Sequence, residues 1–137
     1  MYKINKVNSW NGWDPLKQVI LGNVFLPEYF EDLADSYLRD KFQQLLYETH
    51  EDLNGIQKTL EDLGVDVVRP HPNSTQYAHL YEQADNCPTP TTVGEHIQQY
   101  KDKGQKLHYQ AIPKPCLSPR DYLIVLGNKM LLKKVIK

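Results

Sequence analysis

The 137 residues suit one domain of ordinary size with a single core and leave no room for a large multidomain enzyme. Sixteen basic and seventeen acidic side chains give a formal net charge of −1, so no global field draws the chain onto nucleic acid or an anionic membrane. The longest apolar runs, such as residues 122–126, fall far short of the roughly 20 residues that a membrane-spanning helix needs.

Residues 1–10 contain no basic region followed by an apolar run and no small-residue cleavage site. The expected compartment is therefore the cytoplasm, with neither nucleic acid nor membrane as a partner. Cys87 and Cys116 could form at most one internal bridge, which a domain of this size does not require, so both read as thiols.

In chain order, residues 7–15 read as a short extended piece running into a turn, because Asn11-Gly12 and Asp14-Pro15 both punctuate regular structure. Residues 16–22 are β-rich, end on Gly22 and predict a first strand. Residues 27–35 are acidic and aromatic without a clean period, which fits a loop or a short helical turn.

The strongest periodicity lies between Ser36 and Leu63. Phe42, Leu45, Leu46, Thr49, Leu53, Ile56, Leu60 and Leu63 recur at intervals of three and four, so they share one stripe of an amphipathic helix. Ser36 or Asp40 is the expected cap of its start, and Gly64 suits the left-handed position after its end. Gly55 costs about 1 kcal/mol relative to alanine within a helix, which marks a place for a local break.

Residues 65–69 predict a second strand, stopped by Pro70-His71-Pro72 because proline donates no ladder hydrogen bond. Strand, helix and strand in that order predict an α/β (α+β) unit with parallel strands and the helix over one face of the sheet. Residues 73–115 are less regular, with a proline-rich loop at 87–92 and a short polar helix at 93–103. Residues 122–126 and 129–136, joined by Gly127-Asn128, predict a tight hairpin.

Three blocks carry a resemblance. The first is Trp13-Asp14-Pro15-Leu16 followed by Val19-Ile20 and Gly22; the second is the helix ending in Leu63-Gly64-Val65 and the strand into Arg69-Pro70; the third is Pro119-Arg120-Asp121, an apolar strand and Gly127-Asn128. In this order and spacing they resemble the N-terminal portion of the amidinotransferases, the group containing the glycine and inosamine-phosphate amidinotransferases. The resemblance spans nearly the whole chain and implies a partial pentein fold, one ββαβ unit plus part of the next, from a ring of such units about a pseudo-fivefold axis. It also implies a chemistry. In the family a cysteine takes the amidino group from arginine and passes it to an acceptor amine, a histidine moves protons, and carboxylates hold the planar guanidinium.

Only Asp121, in Pro119-Arg120-Asp121, carries over, as a substrate-guanidinium contact. The family's catalytic histidine and its nucleophilic cysteine belong to later segments that no residue here matches, and neither Cys87 nor Cys116 stands at the nucleophile's place. The resemblance therefore implies an N-terminal module that is inactive alone, uses no cofactor and takes an arginine-like ligand. Two alternatives are half of a split amidinotransferase completed by a separate C-terminal polypeptide, and a non-enzymatic interaction protein reusing the scaffold.

Each residue singled out also has a plainer reading. Asp121 suits a bond to nearby backbone N–H groups or a pair with Arg120. Cys116 has Lys114 and Arg120 near it in sequence, which would lower a thiol pKa, but it also reads as a half-buried small side chain before a strand. The histidines at 50, 71, 79, 96 and 108 show no close zinc-type spacing, even with Cys87 included, so no metal site is expected. Trp10 and Trp13 read as a stacking platform or as core beside the first strand. The lysines at 129, 133, 134 and 137 suit an edge strand guarded against aggregation better than a phosphate site. An opened ring leaves apolar surface uncovered, which implies a homo-oligomer, most simply a two-fold dimer.

Overall fold

The computed structural model describes residues 7–72, 91–102, 104, 115–121 and 123–132. Strand β1 (Gln18–Ile20) pairs in parallel with β2 (Asp66–Val68), setting Val19 opposite Val67 and Ile20 opposite Val68. These β-branched residues suit a pleated, covered surface. Both strands are shorter than the apolar runs in the sequence. Single bonds continue the pairing by one step at each end, from Asp66 N–H to the Lys17 carbonyl at 2.9 Å and from Leu21 N–H to the Val68 carbonyl at 3.0 Å.

Helix α1 (Ser36–Asp62) makes the crossover between the two strands. Its cap is Asp35, in place of the expected Ser36 or Asp40. The Asp35 backbone is extended, and its carboxylate accepts from the Leu38 amide, the third of the helix, at 3.0 Å. Gly55 does not break the helix: the space its missing side chain would fill is open, and α1 runs through it. Gly64 follows in the left-handed region with φ of 80°, as its position after the helix end requires.

The apolar stripe of α1 is only partly covered. Leu46 and Leu53 are buried, whereas Phe42, Leu45, Ile56 and Leu63 are exposed, Leu63 at 75%. The short 3-10 turn Pro27–Phe30 and the narrow two-stranded sheet meet the middle of the helix, and they are too small to cover its whole stripe.

Two apolar clusters flank the parallel pair. Val24, Phe25, Tyr29, Leu46 and Leu53 pack with Leu21, Phe30 and Val93 on one side. Val68, Cys116 and Leu123 pack with Ile20 and Met130 on the other. Adjacent Val67 and Val68 are both buried, and neighbouring strand residues face opposite ways, so β2 is covered on both faces.

Helix α2 (Val93–Asp102) stands where the polar segment predicts one. Strands β3 (Leu123–Leu126) and β4 (Lys129–Leu132) form the expected antiparallel hairpin, with Gly127 at φ of 58° in its turn. The fold is thus α+β, with one parallel and one antiparallel two-stranded sheet. The loop at 87–92 falls mostly, and the end of the second hairpin run at 133–136 wholly, outside the described residues. No helix among the described residues is long and apolar enough to cross a membrane.

Candidate functional site

The N-terminal segment folds back onto the hairpin. Ser9 and Gly127 exchange both backbone hydrogen bonds, at 2.8 and 2.7 Å. Asn11 Oδ1 then accepts from the amides of Trp13 and Asp14, at 3.1 and 2.9 Å, and makes the turn that the sequence predicts. Between this turn, β1 and the hairpin lies a cleft of about 460 Å³ whose walls include Trp10, Asp14, Lys17, Arg120, Val125 and Met130. A cleft of this size with apolar walls and a few charges is the ordinary form of a small-molecule site.

Neither tryptophan belongs to the core. Trp10 is 70% and Trp13 85% exposed. The six-membered ring of Trp10 lies against Gly127, where an added Cβ would come within 2.7 Å of it, and its indole N–H donates to Asn8 Oδ1. The glycine turn leaves room for the ring but supplies only one wall of a pocket, so most of the ring stays in contact with water.

Asp121 closes the 3-10 turn Pro119–Asp121, its amide donating to the Ser118 carbonyl at 3.1 Å. Its carboxylate is exposed and lies 3.9 Å from Arg120 Nε, beyond hydrogen-bond reach. A solvent-facing pair at that separation contributes little. Arg120 lines the cleft; Asp121 is the next residue along, just outside the lining.

Cys116 is more deeply buried than the sequence implies, at 1% exposure, against Val68 and Leu123. Arg120 is almost wholly in water, and Lys114 lies outside the described residues. The backbone of Cys116 is engaged as well, its carbonyl accepting from the Asn23 amide at 2.8 Å. Gly22 allows this approach, because a Cβ there would collide with the backbone of Cys116 and Leu117.

Two polar arrangements are invisible to spacing in the sequence. In the first, Arg69 Nη1 donates to Asn54 Oδ1 at 2.7 Å and to Gln57 Oε1 at 3.3 Å, while Nη2 donates to Asn23 Oδ1 at 2.6 Å. Asn23 Nδ2 in turn donates to the Pro70 carbonyl at 2.9 Å. Desolvation by burial holds the Arg69 pKa below its ordinary value. The available signal was a polar residue directly after each apolar run, Asn23 beyond β1 and Arg69 beyond β2, with Asn54 and Gln57 three apart on one helix face.

In the second, buried Tyr29 and His96 share a hydrogen bond between the phenol oxygen and Nδ1. Burial pushes the His96 pKa down, against a smaller upward pull from Glu95. Among the described residues, no three His, Cys, Asp or Glu side chains gather as a metal site; His79, His108 and Cys87 lie outside those residues.

Compared with protein-family models, curated proteins and solved structures, the chain matches none.

Proposed function

We propose that this chain is an amidinotransferase-like N-terminal module, catalytically incomplete by itself, that binds an arginine-like ligand through Asp121. On this reading the β1–α1–β2 crossover and the following hairpin are one pentein unit and part of the next. The observation that carries it is the meeting of two distant sequence blocks. Asp14, Pro15 and Leu16 of the first block line the cleft together with β1, although Trp13 does not, and Pro119, Arg120 and the hairpin line it from the other side.

Physical chemistry supports the ligand class. The cleft holds both signs of charge, from Asp14, Lys17 and Arg120, which suits a zwitterionic amino acid. Beside it, the Asp121 carboxylate is exposed and accepts no hydrogen bond from Arg120, leaving its oxygens available to a planar guanidinium. The Cys116 side chain is buried and is not among the residues that line the cleft.

Calorimetric titration of the purified chain with L-arginine tests the proposal. Binding that is lost in Asp121→Asn, with no amidino transfer to any added amine, is the expected result. Turnover by the chain alone would remove the claim of incompleteness, and arginine binding that survives Asp121→Asn would remove the assigned contact. A homo-oligomer, most simply a two-fold dimer, belongs to the same proposal. Ile124, Leu126 and Leu131 expose apolar surface on the hairpin, and a strictly monomeric particle in sedimentation at micromolar concentration would exclude it.

A further inference from the structure

The apolar stripe of α1 is two lines wide, and the fold uses one of them. Leu46, Leu53 and Leu60 recur every seven residues; Leu46 and Leu53 are buried in the cluster with Phe25 and Tyr29, and Leu60 is half-buried. Beside them runs a second line, Leu38, Phe42, Leu45, Ile56 and Leu63, whose members are between 40% and 75% exposed. Thr49, Asp52 and Thr59 fill its gaps, so its positions follow one another by four and three residues without a slip from Leu38 to Leu63. That alternation, with a period of about 3.5 residues, is the seam of a helix built to pack along a second helix. The Thr49 and Thr59 hydroxyls donate to the Leu45 and Gly55 carbonyls one turn back, at 2.7 and 2.9 Å, and stay hydrogen-bonded when the seam is covered.

The charges beside the seam select the partner and its direction. One flank is the Leu46–Leu53–Leu60 line, already taken up by the chain's own fold. The other carries Lys41, Glu48, Gly55 and Asp62, again seven residues apart. In an antiparallel pair the free flanks of two copies face each other, whereas a parallel pair sets each free flank against the partner's packed one. Antiparallel, the seam is its own complement. Leu38 meets Leu63, Leu45 meets Ile56, and Phe42 meets Thr59 of the second copy. Lys41 of each copy then lies beside Asp62 of the other, and both residues are exposed and outside the ion pairs found among the described residues. At the midpoint Thr49 meets Asp52, with Glu48 alongside, so acidic charge near the axis opposes closure and keeps the association weak.

We propose that the Leu38–Leu63 face of α1 is the contact with a second copy of this chain, paired antiparallel about a two-fold axis that crosses the helix between His50 and Glu51. The inference rests on the two-fold dimer of the proposed function, but not on its arginine ligand, and it places the contact on α1 in place of the exposed hairpin residues.

Sedimentation equilibrium of the full chain at micromolar concentrations tests it, and a reversible monomer–dimer equilibrium is the expected result. Leu45→Lys should weaken the dimer at least about tenfold, and because Leu45 is exposed it should leave the denaturant midpoint of the monomer unchanged. Lys41→Asp and Asp62→Lys each set like charges together and should weaken it at least about threefold, while the two combined restore it, a rescue specific to the antiparallel register. Asp52→Asn removes charge at the axis and should tighten the dimer. Ile124→Lys on the hairpin should leave it unchanged. A dimer that survives Leu45→Lys and is lost in Ile124→Lys overturns the α1 contact and leaves the two-fold dimer standing. Failure of the double charge variant to restore what the single ones lose overturns the antiparallel pairing. A strictly monomeric chain overturns the contact and the dimer together; a lowered denaturant midpoint in Leu45→Lys would then show that the chain covers this seam itself.

Discussion

The Tyr29 hydroxyl is hydrogen-bonded to Nδ1 of His96 across 67 residues of chain, with the two rings edge to face at 5.4 Å between centroids. Phe25 stacks on Tyr29 at 4.0 Å and closes the apolar side. Together with the hydrogen bond from the Gly94 amide to Asp32, this contact fastens α2 to the segment before α1, and it places a titratable group inside an apolar cluster.

A pH dependence follows from that placement. Burial lowers the folded-state pKa of His96, so the unfolded chain takes up its proton first as the pH falls. Stability from the neutral pair is complete above the ordinary histidine value of about 6.5 and is lost as the pH falls from there towards the lower folded value. The slope for one proton is at most about 1.4 kcal/mol per pH unit. Urea unfolding at a series of pH values should show this loss in the native chain and a smaller one in His96→Gln. Equal slopes in the two proteins would mean that another group carries the effect.

Gly22 and Gly94 separate two kinds of crowding. At Gly22 an added methyl group meets the backbone of Cys116 and Leu117, which moves only by breaking the Asn23–Cys116 hydrogen bond. At Gly94 it meets the end of the Asp32 side chain, which can swing away at the loss of its bond to the Gly94 amide at 2.8 Å. Gly22→Ala should therefore destabilise by about 1–3 kcal/mol or more. Gly94→Ala should cost about 1 kcal/mol, the worth of a lost cap. Denaturant midpoints of the two variants decide, and a larger loss at Gly94 would reverse the expected order.

The start of α1 gives a simpler comparison. Asp35→Ala removes the acceptor for the Leu38 amide and should cost about 1 kcal/mol. Ser36→Ala and Asp40→Ala remove no cap. Asp40 is exposed, with only the weak Arg39 contact at 3.8 Å, so its loss should stay within about 0.5 kcal/mol. Thermal melts of the three variants measure the difference directly.

Regular elements were legible where local chemistry repeats. The three-four spacing from Phe42 to Leu63 marked α1, the β-branched runs marked β1 and β2, and Gly127-Asn128 marked the hairpin turn. The depth of burial was not legible. Periodicity tells which residues share a face, but only partners from elsewhere decide whether Leu46 is covered and Ile56 is not. The polar contacts were hidden for the same reason. Arg69 meets Asn23 across 46 residues and Tyr29 meets His96 across 67, and no spacing rule reaches that far. Cys116 read as half-buried because free cysteines commonly are, while its charged sequence neighbours Lys114 and Arg120 pointed to a reactive thiol; its neighbours in space, Val68 and Leu123, set the depth of its burial.

That burial makes the thiol a probe of opening. Cys116 is 1% exposed, and the chain around it is held by the Asn23–Cys116 bond and the close passage of Gly22. A thiol reagent reaches it only when this layer separates, so its labelling rate reports the free energy of that opening. Peptide mapping after timed alkylation, which distinguishes it from Cys87, should find Cys116 protected in buffer and modified at the unfolded rate in strong urea. Gly22→Ala, which loosens the same layer, should speed its labelling in buffer. Cys116→Ser should destabilise by about 1–3 kcal/mol, because a hydroxyl costs more than a thiol to withdraw from water into the Val68–Leu123 cluster. Fast alkylation of the native chain at Cys116 would show instead that the hairpin opens readily from β1 and β2.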